Sequence, residues 1–156
     1  MGTTLSAPTI HKFQKSLNKA QAFTDGTFKL WYPNIIVTDG RKYDFETSLN
    51  ERCELKLDFY PNSTNAYIES HSRHPDKLGG PWQTSANNVD VQYYVYAVVA
   101  RAEVYWIKLQ TLLEHMEQNK HDYRQVFAHN VGYKGAGYLV PLAKLAKIAE
   151  KIDKFS

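Results

Sequence analysis

The chain has 156 residues, a net charge of +3, a single cysteine and eleven tyrosines, with 43% of its residues hydrophobic. This length suits one domain able to bury a core without staples. The lone Cys53 excludes an internal disulfide, and no run approaches the ~18 apolar residues of a membrane span. The mild basic excess is compatible with a polyanionic partner without requiring one.

Residues 1–8 read as a flexible tail and residues 9–156 as one domain. The opening stretch lacks the long apolar core of a signal peptide. With Cys53 on an apolar strand face, the sequence predicts a soluble protein of a reducing, intracellular and cytoplasmic setting. "PTIHKFQKSLNKAQAF" spaces Ile10, Phe13, Leu17 and Ala20 as a helix face, and Asp25-Gly26 is expected to end that helix. "TFKLWYPNIIVTDGRKYDFETS" reads as β-rich, with turns at Pro33-Asn34 and Asp39-Gly40. "RCELKLDFY" and "NAYIES" are the next strands. "HSRHPDKLGGPWQTSANNVD" reads as a loop with one helical turn near Trp82–Asn87. "VQYYVYAVVA" is a near-continuous apolar run, the mark of a strand buried on both faces. After a turn at Arg101-Ala102 come the strand "EVYWIKL", an amphipathic helix "LQTLLEHMEQNK", a short strand "RQVFAHN", the loop "VGYKGAG", a strand "YLVP" and a closing helix "LAKLAKIAEKIDKF". This order predicts an α/β domain, a central mixed β-sheet flanked by helices.

One strand carries more charge than its role in a core requires. In "ERCELKLDFY" alternation sets Cys53, Leu55, Leu57 and Phe59 on one face and Glu54, Lys56 and Asp58 on the other. A short link joins this strand to the one holding Asp44, so a hairpin would bring Asp44, Glu54 and Lys56 together. Two converging carboxylates make a hard oxygen site suited to Mg²⁺ or Mn²⁺. A neighbouring lysine could orient the attacking water and stabilise charge developing on phosphorus. Taken alone, the same triplet is more often a solvated cross-strand pair. Asp39 is an alternative first carboxylate, ranked below Asp44 because Asp-Gly is a turn signal.

Read in order, "YDF", "CELKLDFY", "NAYIES", "GGPWQTSANNVDVQYYVYAVV" and "GYKGAGYLVPLAKL" resemble the PD-(D/E)xK nuclease superfamily. The similarity is to its small phage and bacterial endonucleases, including Holliday-junction-resolvase-like proteins, and it covers about residues 40–147. It implies a restriction-endonuclease-like core and a metal-dependent endonuclease acting on DNA, with a branched-DNA resolvase and a restriction-type or repair nuclease both open. Asp44 and Glu54 would bind Mg²⁺ or Mn²⁺, Lys56 would be the catalytic lysine and Glu69 a further metal or water ligand. It also implies a homodimer in the cytoplasm of a bacterial or phage-infected cell. Two departures stand out: the first helix, His11 to Phe23, has no acid, leaving Gln14 and Gln21 as the nearest substitutes, and the segment "SANNVDVQYYVY" is stretched.

Donors for a nucleic-acid backbone are Lys77, Gln83, Thr84 and Ser85 in the Gly-Gly segment, with Arg73 and Lys134 as further phosphate contacts. The glycines of "GYKGAGY" could admit a phosphate, but the segment lacks a nucleotide-cradle pattern, so no nucleotide cofactor is expected. His71 and His74 lie in a loop and are not expected to hold zinc. The alternative to an enzyme is a non-catalytic nucleic-acid-binding or oligomeric interaction domain on the same fold.

Overall fold

A computed structural model describes residues 18–87, 90–130 and 132–156. The expected tail and the start of the first helix, including Gln14, lie outside the described residues. Helix α1 covers residues 18–31. It does not end at Asp25-Gly26: a π-helical turn, Thr24–Phe28, carries the chain through, and Lys29–Trp31 continue as α-helix. Packing overrides the turn signal, because Phe28 is wholly buried against the rings of Tyr32 and Phe45. The helix stops at Tyr32, where Pro33 disfavours helical geometry in the residue before it.

Strands β1 (Ile36–Val37), β2 (Phe45–Glu46) and β3 (Arg52–Asp58) form an antiparallel meander. Strand β4 (Asn65–Arg73) turns back through the two-residue β5 (Lys77–Leu78) into helix α2 (Gly80–Ala86). The segment expected to be mostly loop thus holds the end of one strand, a hairpin and a full helix. Strand β6 (Tyr93–Val98) lies parallel to β3, pairing Glu54 with Tyr94 and Lys56 with Tyr96. Strand β7 (Glu103–Lys108) returns antiparallel after a turn with Ala102 in the left-handed region. Helix α3 (Leu109–Asn119), strand β8 (Arg124–Asn130), strand β9 (Tyr133–Pro141), helix α4 (Leu142–Ile148) and strand β10 (Lys151–Lys154) complete the chain.

The outcome is mixed α/β with two sheets: a six-stranded mixed sheet, β1-β2-β3-β6-β7-β10, and a four-stranded antiparallel sheet, β5-β4-β9-β8. The larger sheet is covered on both faces. On one, Phe28 of α1 packs with Phe45, Cys53, Val95, Ala97, Val104 and Trp106. On the other, Tyr94, Tyr96 and Ile107 meet Ala66 and Ile68 of β4 together with Leu112, Met116 and Leu145. The uninterrupted apolar character of β6 follows from this double burial. Among the described residues no helix is long and apolar enough to cross a membrane.

Two expectations near the C-terminus are corrected. The residues read as the loop "VGYKGAG" enter strand β9 at Tyr133. Gly137 is needed there for close approach, since a Cβ would stand 2.5 Å from the Tyr67 ring. The closing helix ends at Ile148 instead of running on to Phe155. Lys151–Lys154 pair with the free edge of β7, where Phe155 stacks on Trp31 at 4.8 Å and Asp153 accepts the Tyr32 hydroxyl at 2.5 Å.

Candidate functional site

Residues paired across a parallel ladder share a face, so Glu54 and Lys56 point the same way as Tyr94 and Tyr96. That is the face packed against β4. The charged side of β3 is therefore the half-buried wall of a cleft between the two sheets, not an open solvated surface. Asp58, the third charge in the row, has a structural task. Its Oδ2 accepts hydrogen bonds from Tyr96 (2.8 Å) and Ser63 (2.5 Å), and its Oδ1 one from the Tyr60 N–H (2.9 Å), which closes the turn into β4.

Asp44 enters from the residue before β2. Its N–H donates to the Cys53 carbonyl (2.9 Å), and its Oδ2 accepts the Leu55 N–H (2.6 Å). This brings its carboxyl into hydrogen bonding with Glu54. Lys56 Nζ stands 3.7 Å from Glu54 Oε1. Glu54 thus lies between the other two residues expected from the sequence, and the Lys56 charge acts on both carboxyls. Asp39, the alternative carboxylate, instead closes its own turn by accepting the Arg41 N–H at 3.1 Å.

Burial holds both carboxyls above their ordinary range. For Asp44 desolvation is the first cause, opposed by the Leu55 N–H, by Lys56 and by Glu54. Glu54 is pushed up to about 7, first by burial and then by the Asp44 charge, with Lys56 pulling it down. Two desolvated carboxyls in contact cannot both ionise freely, so they share a proton near neutrality. Such a pair fits a hard dication, whose charge would replace the proton. Among the described residues no group of three or more His, Cys, Asp or Glu side chains converges to hold an ion. Two carboxylates suffice for Mg²⁺, which keeps several waters and is commonly bound through one or two carboxylates plus substrate phosphates.

The shared proton has a consequence for metal-free stability. A group whose folded pKa is raised stabilises the fold fully below its unfolded value and loses that contribution as pH rises through the folded value. For Glu54 the window runs from 4.5 to about 7. Between pH 4.5 and 8, urea unfolding should show wild type losing about 3 kcal/mol more stability than Glu54→Gln. Parallel pH curves for the two proteins would contradict the shared proton.

Glu69 shares this cleft, of about 450 Å³, with Glu54, Lys56, Lys77, Gln83 and Thr84. A register shift in the β4–β9 pairing lies just beyond it, between Glu69 and His71, the kind of irregularity that re-aims side chains. Arg41 and Lys42 add two cations to the rim that were not singled out in the sequence. Thr84 is buried and donates to the Gly80 carbonyl at 3.1 Å, so its hydroxyl serves the helix. Gln83 donates to Asn87 at 2.9 Å. Ser85 is exposed on α2 and does not line the cleft. Arg73 and Lys134 sit farther out, over the rings of Tyr133 and Phe127. Trp82 donates to Glu117 at 3.0 Å and packs on Tyr138. On the α1 side, Asp44 and Lys56 border a second cavity with Lys19, Gln21 and Thr24, so Gln21 does reach the neighbourhood.

Tyr94 was also missed. Its hydroxyl is fully buried without a hydrogen-bond partner among the described residues. Glu54, Glu69 and Asp44 all act on it electrostatically. A buried orphan donor costs about 1–3 kcal/mol. Tyr94→Phe should therefore leave stability unchanged or raise it by about 1 kcal/mol in urea titrations; a clear loss would mean that the hydroxyl is bonded.

No protein-family model and no curated protein sequence matches the chain.

Proposed function

We propose that the chain is a metal-dependent endonuclease of the PD-(D/E)xK type, hydrolysing phosphodiester bonds in DNA. The observation that carries this reading is Glu54, on the packed face of β3, held between the Asp44 carboxyl and Lys56, with Glu54 and Lys56 lining a cleft that also holds Arg41, Lys42 and Lys77. The finer fold assignment, a restriction-endonuclease-like core, is supported by the mixed sheet in which β3 runs parallel to β6 and is preceded by an antiparallel meander carrying Asp44.

Asp44 and Glu54 would hold Mg²⁺ or Mn²⁺. When bound, the ion supplies Lewis-acid polarisation of a phosphoryl oxygen. The rim cations draw the sugar-phosphate backbone into the cleft. Lys56, beside Glu54, orients a water for in-line attack and stabilises the negative charge that builds on the phosphoryl oxygens. A new P–O bond forms from the water oxygen, the bond from phosphorus to one sugar oxygen breaks, and the water's proton balances the alkoxide that leaves. Glu69 lies where it can accept a hydrogen bond from water in the same cleft. Cytoplasmic location and a homodimer, the natural arrangement for paired cuts, belong to this same proposal.

Glu54→Gln tests the reading. A nuclease loses divalent-dependent cleavage while gel-shift affinity for DNA in EDTA changes less than threefold. No cleavage by wild type or variant, with DNA affinity equal in the two, would instead indicate a nucleic-acid-binding domain without catalysis.

A further inference from the structure

The four-stranded sheet ends in a hairpin whose surface is not explained by the cleft. Strand β8 is the last strand in the order of that sheet and pairs with β9. Phe127 and Tyr133 remain 40% and 38% exposed there. Each ring carries a cation: Lys134 Nζ lies 4.5 Å from the Phe127 centroid, and the Arg73 guanidinium 5.0 Å from that of Tyr133. His74 stands edge-on to Phe127 at 5.3 Å and meets His71 at 4.9 Å. From Arg124 to Tyr138 the chain has no Asp or Glu.

We propose that this hairpin is a platform for unpaired bases of a single-stranded nucleic acid segment. Every base has a flat face that can stack on an exposed aromatic ring, and the adjoining cations can take the phosphates. A base inside a duplex is already stacked and cannot lie on a side-chain ring, which selects for unpaired strands. A second copy of this chain is the weaker occupant: a self-complementary contact would set Arg73, Arg124 and Lys134 against their own copies. The platform is continuous with the cleft. Arg73 pairs in register with Lys77, which lines the cleft, and the His74 N–H donates to the Lys134 carbonyl at 2.8 Å. Three residues of β4 lie between Glu69 and Arg73, four strand steps that span about 13 Å. The inference rests on the nuclease reading only in taking that cleft as the place of chemistry.

The test uses the full chain in EDTA, so that no cleavage is involved, and measures anisotropy with a fluorescent single-stranded oligonucleotide and with a blunt duplex. Phe127→Ala and Tyr133→Ala should each weaken single-strand binding about 5- to 30-fold, the effect of one lost stacking partner, and duplex binding less than twofold. Phe127→Leu, which keeps apolar bulk, should resemble Phe127→Ala. Lys134→Ala should weaken both ligands alike. Equal effects of the ring variants on both DNAs, or none, would overturn the platform. So would retained single-strand binding with a dimer lost in sedimentation, which would assign the hairpin to a second copy. Loss of single-strand binding in a protein that cuts nothing would uphold the platform and refute the nuclease; cleavage with unchanged single-strand binding would do the reverse.

Discussion

Replacing Lys56 by Ala should lower the rate of metal-dependent DNA cleavage by about 10²–10³, the usual effect of removing one group that stabilises transition-state charge. The side chain is suited to an effect of this kind and not to a structural one. It is 36% exposed, its ion pair with Glu54 is 3.7 Å long, and such a partly solvated pair contributes little to folding. Urea stability should therefore change by less than about 1 kcal/mol. Lys56 also pulls the Glu54 carboxyl down against burial and the Asp44 charge. Without it, Glu54 should titrate at higher pH, so the metal-free stability loss of the variant should begin at the same pH but continue to a higher one. A variant that cleaves at the wild-type rate would remove Lys56 from the chemistry. One that unfolds would make it a structural residue.

Gly80→Ala should be the most damaging of the single-methyl changes around the cleft. Gly80 has φ +54, and a Cβ there would lie 2.0 Å from the Glu69 carbonyl oxygen and 2.9 Å from its carbon. Both are backbone atoms in a strand and cannot move aside cheaply. The added methyl must push the start of α2 off β4 and open the wall formed by Lys77, Gln83 and Glu69. The expected cost is about 3 kcal/mol or more, from the left-handed backbone and the clash together, with cleavage falling alongside. Gly26→Ala is the control. Nothing lies within 4 Å of a Cβ at that position, so stability should stay level or rise by up to about 1 kcal/mol. Comparable melting temperatures for Gly80→Ala and wild type would show that the close approach of α2 to Glu69 is not required.

The site was legible in the sequence to the extent that it depends on strand alternation. Glu54 and Lys56 two residues apart must share a face, and the short link between β2 and β3 leaves Asp44 little choice but to join them. The apolar run of β6 marked a doubly covered strand for the same reason. What alternation does not carry is which face meets which layer. The charged face of β3 looked solvated because its cover, β4, comes later in the chain. Tyr94 looked like an ordinary core residue until its pairing with Glu54 placed its hydroxyl among carboxylates. Local signals misled where distant packing won. Asp25-Gly26 did not stop α1 because Phe28 is held in the core. Ile152 and Phe155 left the helical pattern because β7 offered a free edge and Trp31 a ring to stack on. The glycines of β9 looked like a phosphate loop, whereas Gly137 is small so that Tyr67 can lie against the sheet.

The most direct test of the central claim is cleavage of a small DNA panel by the intact chain. The panel comprises a single strand, a linear duplex, a four-way junction and a supercoiled plasmid, each in Mg²⁺, in Mn²⁺ and in EDTA. The predicted result is cutting of at least one substrate in either metal, none in EDTA, and none by Glu54→Gln under the same conditions. Binding without cutting of any substrate in either metal would contradict the account, leaving Asp44, Glu54 and Lys56 as the polar lining of a nucleic-acid-binding cleft.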